Sequence, residues 1–205
     1  MPSSDVRWPV PLTRLNPWYP GMAGVFGTDN ETGLRTHCTG AIFYVDPNFP
    51  GASDNRDGTN PTEPLLTVAK AITLCQPHRG DVIAVMDNSS WMYAQGGQGV
   101  ATAQYTTSVS EEVTINVAGV RLVGLSAGAL GVPWYPVQDG GTCITVHGVN
   151  VTIEGFVFDD GPTYTACNGI YAEWDGTTMF ADNLTVRNCY FYSSVVAAID
   201  LEHIY

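Results

Sequence analysis

Apolar and polar residues alternate in short runs through most of the chain, and from Cys143 to Tyr205 the alternation repeats in register. Laying 149–158 on 182–191 puts Val151 on Leu184, Ile153 on Val186, Gly155 on Asn188, Phe156 on Cys189 and Phe158 on Phe191, an offset of 33 (184 − 151). Val120 to Leu125 fits the same frame one repeat earlier, with Val120 on Val151 at an offset of 31 (151 − 120). A second strand, Ile144-x-Val146, recurs as Ile170-x-Ala172 and Ile199-x-Leu201, at offsets of 26 (170 − 144) and 29 (199 − 170). Two short strands per repeat cannot bury an apolar face by themselves, so each repeat must stack on the next. The pattern predicts a mainly β protein built as a single-stranded parallel β-helix of about five coils. A Greek-key sandwich also has many short strands, but it does not require apolar, polar and Gly/Asn columns to return in register.

Upstream, Ala41 to Val45 and Val82 to Met86 read as further strands, separated by the polar loop Asp54-Asn55-Arg56-Asp57-Gly58-Thr59-Asn60-Pro61. Leu65, Val68, Ala69, Ile72 and Cys75 keep helical spacing between Pro64 and Pro77, which predicts one amphipathic helix over about 64–76. Residues 87–112 form a long insertion carrying Trp91, Met92 and Tyr93, and 128–141 a second one carrying Pro133-Trp134-Tyr135-Pro136. Loops of that length are usually functional or disordered, and the aromatics suggest contact surfaces on both.

Residues 1–40 break the pattern. Pro2, Pro9, Pro11, Pro17 and Pro20 are interleaved with Arg7, Trp8, Arg14, Trp18 and Tyr19. Proline at that density blocks helix and central strand and predicts an extended arm. Arginine and large aromatics on such an arm are the anchors of a segment lying on a partner's surface; equally, the arm could fold back and cap its own β-helix. The domain reading is an arm over 1–40 and a β-helix domain over 41–205.

The runs FYVDPN, SDNRDGTNPTEPLLTVAKAI, GDVIAVM and INVAGVRLVGL resemble the N-terminal cap and first coils of right-handed parallel β-helix proteins of the pectate-lyase-like class, in which strand, loop and helix plug the open end of the stack. They resemble more closely the β-helix proteins encoded among bacteriophage virion genes. The resemblance covers about 41–205 and implies right-handed coiling. It further implies a structural role in a phage particle, as a capsid decoration (cement) protein of the head shell, bound to the major capsid protein and trimeric. Localisation would be the capsid surface of the virion, after assembly in the host cytoplasm. The alternative it carries is a tailspike-like β-helix that binds or degrades host glycan.

Charge narrows the partners. Eight basic residues against 20 acidic ones give a net charge of −12, which repels nucleic acid and anionic membrane. No run of about 18 apolar residues occurs, and the start lacks a basic stretch followed by an apolar core. Neither a transmembrane helix nor a signal peptide is predicted, so the expectation is use without Sec export. Cys38, Cys75, Cys143, Cys167 and Cys189 show no metal-ligand spacing; they read as core fillers, with no metal or cofactor expected.

Candidate chemistry lies on outward columns. One step beyond the inward Val146, Ala172 and Leu201 come His147, Glu173 and Glu202. On stacked strands about 4.8 Å apart, Glu173 and Glu202 would be neighbours, at a spacing suited to a retaining glycoside hydrolase. The adjacent column is Thr145, Tyr171 and Asp200. In a chain this acidic, carboxylates also stack by chance, no lysine follows Lys70, and Glu154 opposite Arg187 reads as an ordinary cross-strand pair. The reading is therefore not an enzyme. Trp91, Trp134 and Trp174 would be the stacking platforms of a glycan-binding alternative. Val157, Tyr190 and Tyr192, outward and large, read as a subunit interface. The apolar pattern Ile199, Leu201, Ile204 runs to the last coil without a polar cap, which leaves strand edge for association.

Overall fold

Period-two apolar runs become strands that pair only in parallel among the described residues. The computed structural model describes residues 40–86, 109–125, 131–159, 166–172, 181–191 and 195–201. Three sheets result. The first holds β1 (Ile42–Val45), β2 (Val82–Met86), β5 (Arg121–Leu125), β8 (Thr152–Glu154) and β11 (Thr185–Arg187), in that order. The second runs β3 (Val109–Ser110), β6 (Val132–Tyr135), β9 (Phe156–Phe158), β12 (Tyr190–Phe191). The third runs β4 (Val113–Ile115), β7 (Thr142–Val146), β10 (Cys167–Ala172), β13 (Val195–Leu201). From β4 onward the chain visits third, first and second sheet in rotation, and each return lands beside the strand laid down one circuit before.

The register is the one the repeats predict. Leu122, Ile153 and Val186 fall opposite one another, as do Phe158 and Phe191. Ile144, Ile170 and Ile199 align, with Val146, Ala172 and Leu201 beside them. Because side chains alternate at period two, a slip of one residue would turn every one of these columns outward. The inward columns form one core, in which Ile83, Leu122, Ile153, Ile144 and Ile170 are fully buried. Burial of each such side chain contributes about 1.5–3 kcal/mol. Trp134, Phe158 and Phe191 occupy successive rungs of the second sheet with ring centroids 6.4 and 5.1 Å apart. Phe156 meets Trp134 edge-on at 5.4 Å.

Left-handed backbone marks the corners, and it too returns in register. Gly80, Gly119, Asn150 and Asn183 all have φ between 56° and 76°, each two residues ahead of a strand of the first sheet. Asparagine tolerates that region better than most residues, and the Asn183 amide donates to Asn150 Oδ1 at 3.1 Å. Gly155 (φ 80°) and Asn188 (φ 51°) turn the chain from the first sheet into the second. A Cβ on Gly124 would sit 2.2 Å from the Gly155 carbonyl oxygen, so that rung admits no side chain there.

The one helix among the described residues, α1, spans Val68–Leu74 and buries Val68, Ala71 and Ile72 against the first rungs. It is shorter than the expected 64–76. Leu65 is taken by the sheet instead: it bridges Val45 in parallel, its N–H donates to the Tyr44 carbonyl at 2.9 Å, and its own carbonyl accepts from Asp46 N–H at 3.0 Å. Thr67, with extended backbone, is the N-cap and accepts from Lys70 N–H at 3.1 Å. A second correction concerns 128–141. Val132–Tyr135 is not a projecting excursion but strand β6, and Trp134 is fully buried, because alternation within the strand turns Val132 and Trp134 into the core. Of the expected 87–112 insertion, Val109 and Ser110 belong to β3, and 87–108 lie outside the described residues. The arm residues Arg7, Trp8, Arg14, Trp18 and Tyr19 lie outside them as well.

Candidate functional site

The rungs at the C-terminal end form the least covered part of the described molecule. Among the described residues β11, β12 and β13 are each the last strand of their sheet, and no further described strand pairs their outer edges. Ile199 is 40% and Leu201 55% exposed, although their counterparts Ile144, Ile170, Val146 and Ala172 are fully buried. Tyr190, on the outer side of the same rung, is 49% exposed. Apolar columns that continue the core therefore reach solvent at this end. At the other end, α1 packs on β1, β2 and β4.

The expected interface residues separate here. Tyr190 pairs in register with Val157 and is open. Val157 is only 2% exposed, so it is covered within its own chain and is no part of a free surface, a correction to the sequence expectation. Its neighbours in register, Pro133 and Tyr190, crowd it from both sides. Tyr192 lies outside the described residues.

The proposed acidic column is only partly visible. Thr145, Tyr171 and Asp200 do stand in one register line. His147 follows Val146, half-buried, with its backbone N–H donating to the Ile115 carbonyl at 3.0 Å. Glu173 and Glu202 lie outside the described residues, so the structure brings no pair of catalytic carboxylates together within them. Trp134 is no glycan platform: its indole N–H donates to the Glu111 carbonyl at 2.8 Å inside the molecule. Trp91 and Trp174 are outside the described residues. No group of three or more potential metal ligands occurs among the described residues, and none of their helices is long and apolar enough to cross a membrane.

Three carboxylates hold this framework, and the sequence revealed only part of one. Glu154 does pair with Arg187, but it is also gripped by Arg121 from the preceding rung, whose Nε lies 2.7 Å from Oε1. The three charges make a ladder on the outer face of the first sheet, and Glu154 is nearly buried in it, which is more than an ordinary exposed pair. The alignment of Val120 with Val151 already placed Arg121 on the same face as Glu154; only its diagonal reach was hidden. Asp81, fully buried, accepts from Ala41 N–H at 2.7 Å and Gln76 N–H at 2.8 Å and pairs with Arg79. Burial pushes its carboxyl up, but the Arg79 guanidinium and those two N–H groups outweigh it and hold the carboxyl below the usual range. Glu111 accepts from Val68 N–H at 2.9 Å and Ala69 N–H at 3.0 Å, closing the first turn of α1. Burial raises its carboxyl above the usual range despite those donors, and nearby Asp54 adds to the rise.

The four described cysteines are free. Burial pushes the Cys75 thiol up to about 12 and raises Cys143 and Cys189 as well. Such thiols stay protonated and pack as small apolar groups, as the spacing suggested. No family model, curated protein or solved structure matches this chain.

Proposed function

We propose that the three parallel sheets are the faces of a right-handed parallel β-helix, and that the protein is a non-enzymatic structural component of a phage particle: a capsid decoration protein that binds the head shell as a trimer. The observation that carries association is the exposure of Ile199 and Leu201 where the core columns run out. Apolar side chains continuous with a core, beside unpaired strand edge, are costly to leave in water. The phage assignment rests on the resemblance of the runs FYVDPN, SDNRDGTNPTEPLLTVAKAI, GDVIAVM and INVAGVRLVGL, within about 41–205, to virion β-helix proteins. The glycan-binding reading is weaker by the loss of Trp134, which is inside the core.

Shell attachment belongs, in this reading, to the distal arm with Arg7, Trp8, Arg14, Trp18 and Tyr19. Mass photometry of the purified chain should give a trimer, and cosedimentation with bare shells should load many copies per particle. Deleting residues 1–20 should keep the trimer and abolish loading. A chain that instead releases reducing ends from host polysaccharide, an activity lost in Glu173→Gln with Glu202→Gln, overturns the proposal.

A further inference from the structure

Among the described residues, two guanidinia share the single carboxylate of Glu154: Arg121 holds Oε1 and Arg187, through Nε, holds Oε2. The trio therefore keeps one positive charge unbalanced. Exposure assigns that charge to Arg187, whose side chain is 47% exposed against 18% for Arg121. A guanidinium has five N–H donors in a planar fork, and the contact with Glu154 uses the one on Nε, so a second carboxylate can be taken edge-on. In a chain of net charge −12, such a site is scarce: Arg187 is the only exposed cation among the described residues, because Arg56, Lys70, Arg79 and Arg121 are all half-buried.

A matching anion stands at the same height. Asp200 is the outward residue between Ile199 and Leu201 on β13, half-buried, and takes part in none of the described ion pairs. β11 and β13 are the last described strands of their sheets, so Arg187 and Asp200 belong to one rung. Within one copy they stand on different sheets, which adjoin where the chain passes from β4 to β5 and from β7 to β8. Arg187 is the third residue of β11, and Asp200 comes one residue before the end of β13. Both therefore stand near that corner.

We infer that Arg187 of one copy pairs with Asp200 of the next, closing a ring of three copies that stand side by side around that corner. The inference rests on the trimer proposed above and names the contact that closes it. Two observations select a second copy as the occupant. A ring closed by rotation about an axis along the stack joins points at equal height, whereas points at different heights generate an open filament; Arg187 and Asp200, in one rung, meet the condition for closure. The pair also lies beside the exposed Ile199 and Leu201. The apolar and the ionic contact thus form one continuous surface, in which apolar burial supplies affinity and the charges fix the register.

Charge reversal in the full chain, read by mass photometry, tests the pairing. Arg187→Glu and Asp200→Arg should each raise the protein concentration needed for half-assembly by on the order of tenfold or more, since each sets like charges against one another. Arg187→Glu combined with Asp200→Arg should restore assembly, and the wild type should need more protein as NaCl is raised. Arg187→Glu also disturbs the contact with Glu154 inside its own copy, but that contact gives no reason for recovery in the double variant. The pairing is overturned, and the trimer left standing, if the wild type is a trimer and neither reversal shifts its assembly, or if the double variant stays as weak as the single ones. A wild type that stays monomeric removes the trimer and the pairing together. Should Arg187→Glu fail to fold, Asp200→Arg alone decides: an unshifted trimer overturns the pairing.

Discussion

Arg121 and Arg187 reach the same carboxylate from opposite rungs, yet their side chains differ in exposure, 18% against 47%. Water screens the outer pair and the long Arg187 side chain loses entropy on being held, so Arg187→Met should cost less than about 1 kcal/mol. Arg121 is largely desolvated, and its removal leaves a nearly buried carboxylate with one partner; Arg121→Met should cost about 1–3 kcal/mol. Equilibrium urea unfolding of the two variants, with a double-mutant cycle through Glu154→Gln, measures the difference. Equal costs would mean that the ladder is not anchored from the inner rung. Of this trio, the pair Glu154–Arg187 was legible from the 33-residue offset alone. Arg121 was not, because its contact is diagonal: its backbone stands opposite Thr152, and only the length of the side chain brings it to Glu154.

At the scale of elements, α1 and the start of β1 are each held by a carboxylate, and the two should respond oppositely to pH. Asp81, whose carboxyl is depressed in the folded state, contributes stability that is present above the ordinary aspartate value of about 3.9 and is lost as pH falls through its lower folded value. Glu111 is raised: the folded state keeps its proton at a pH where the unfolded chain has released it. Its contribution is complete below about 4.3 and declines as pH rises through the folded value. Thermal midpoints of wild type, Asp81→Asn and Glu111→Gln measured from pH 3 to 7 should show this. The advantage of wild type over Asp81→Asn shrinks below about pH 3.9, and that over Glu111→Gln shrinks on going up from about pH 4.3. Parallel profiles in all three proteins would remove both assignments. The helix itself was visible in the spacing of Val68, Ile72 and Cys75, but not its start. That boundary was set by Leu65 pairing with Val45 and by Glu111, 43 residues away in the chain, and no local pattern contains either.

For the whole molecule, the described residues have a helix-covered end and a less covered end, and the proposed association of copies uses the latter. Ile199→Lys with Leu201→Lys should leave the fold intact, since both side chains already reach solvent, and should convert the proposed trimer to monomer in mass photometry. A trimer that survives would move the interface to the flank of Tyr190. By itself the sequence determined the repeated strands of the first and third sheets, the register of their parallel pairing and their inward columns, but not β3 and β6, because period-two alternation and a stacking repeat leave only one way to bury those repeated side chains together. It also showed Gly and Asn columns returning in register, and the structure places them at corners with left-handed backbone. The tertiary structure alone decided which outward residues are wet. Trp134 and Val157 were read as surface and are buried, and so are the outward Tyr44, Ala84 and Val123 of the first sheet, whereas Arg187 on the same face is exposed. Alternation tells which side of a sheet a residue takes, whereas burial depends on what other segments lie over that side, and those contacts join residues that sequence spacing does not relate.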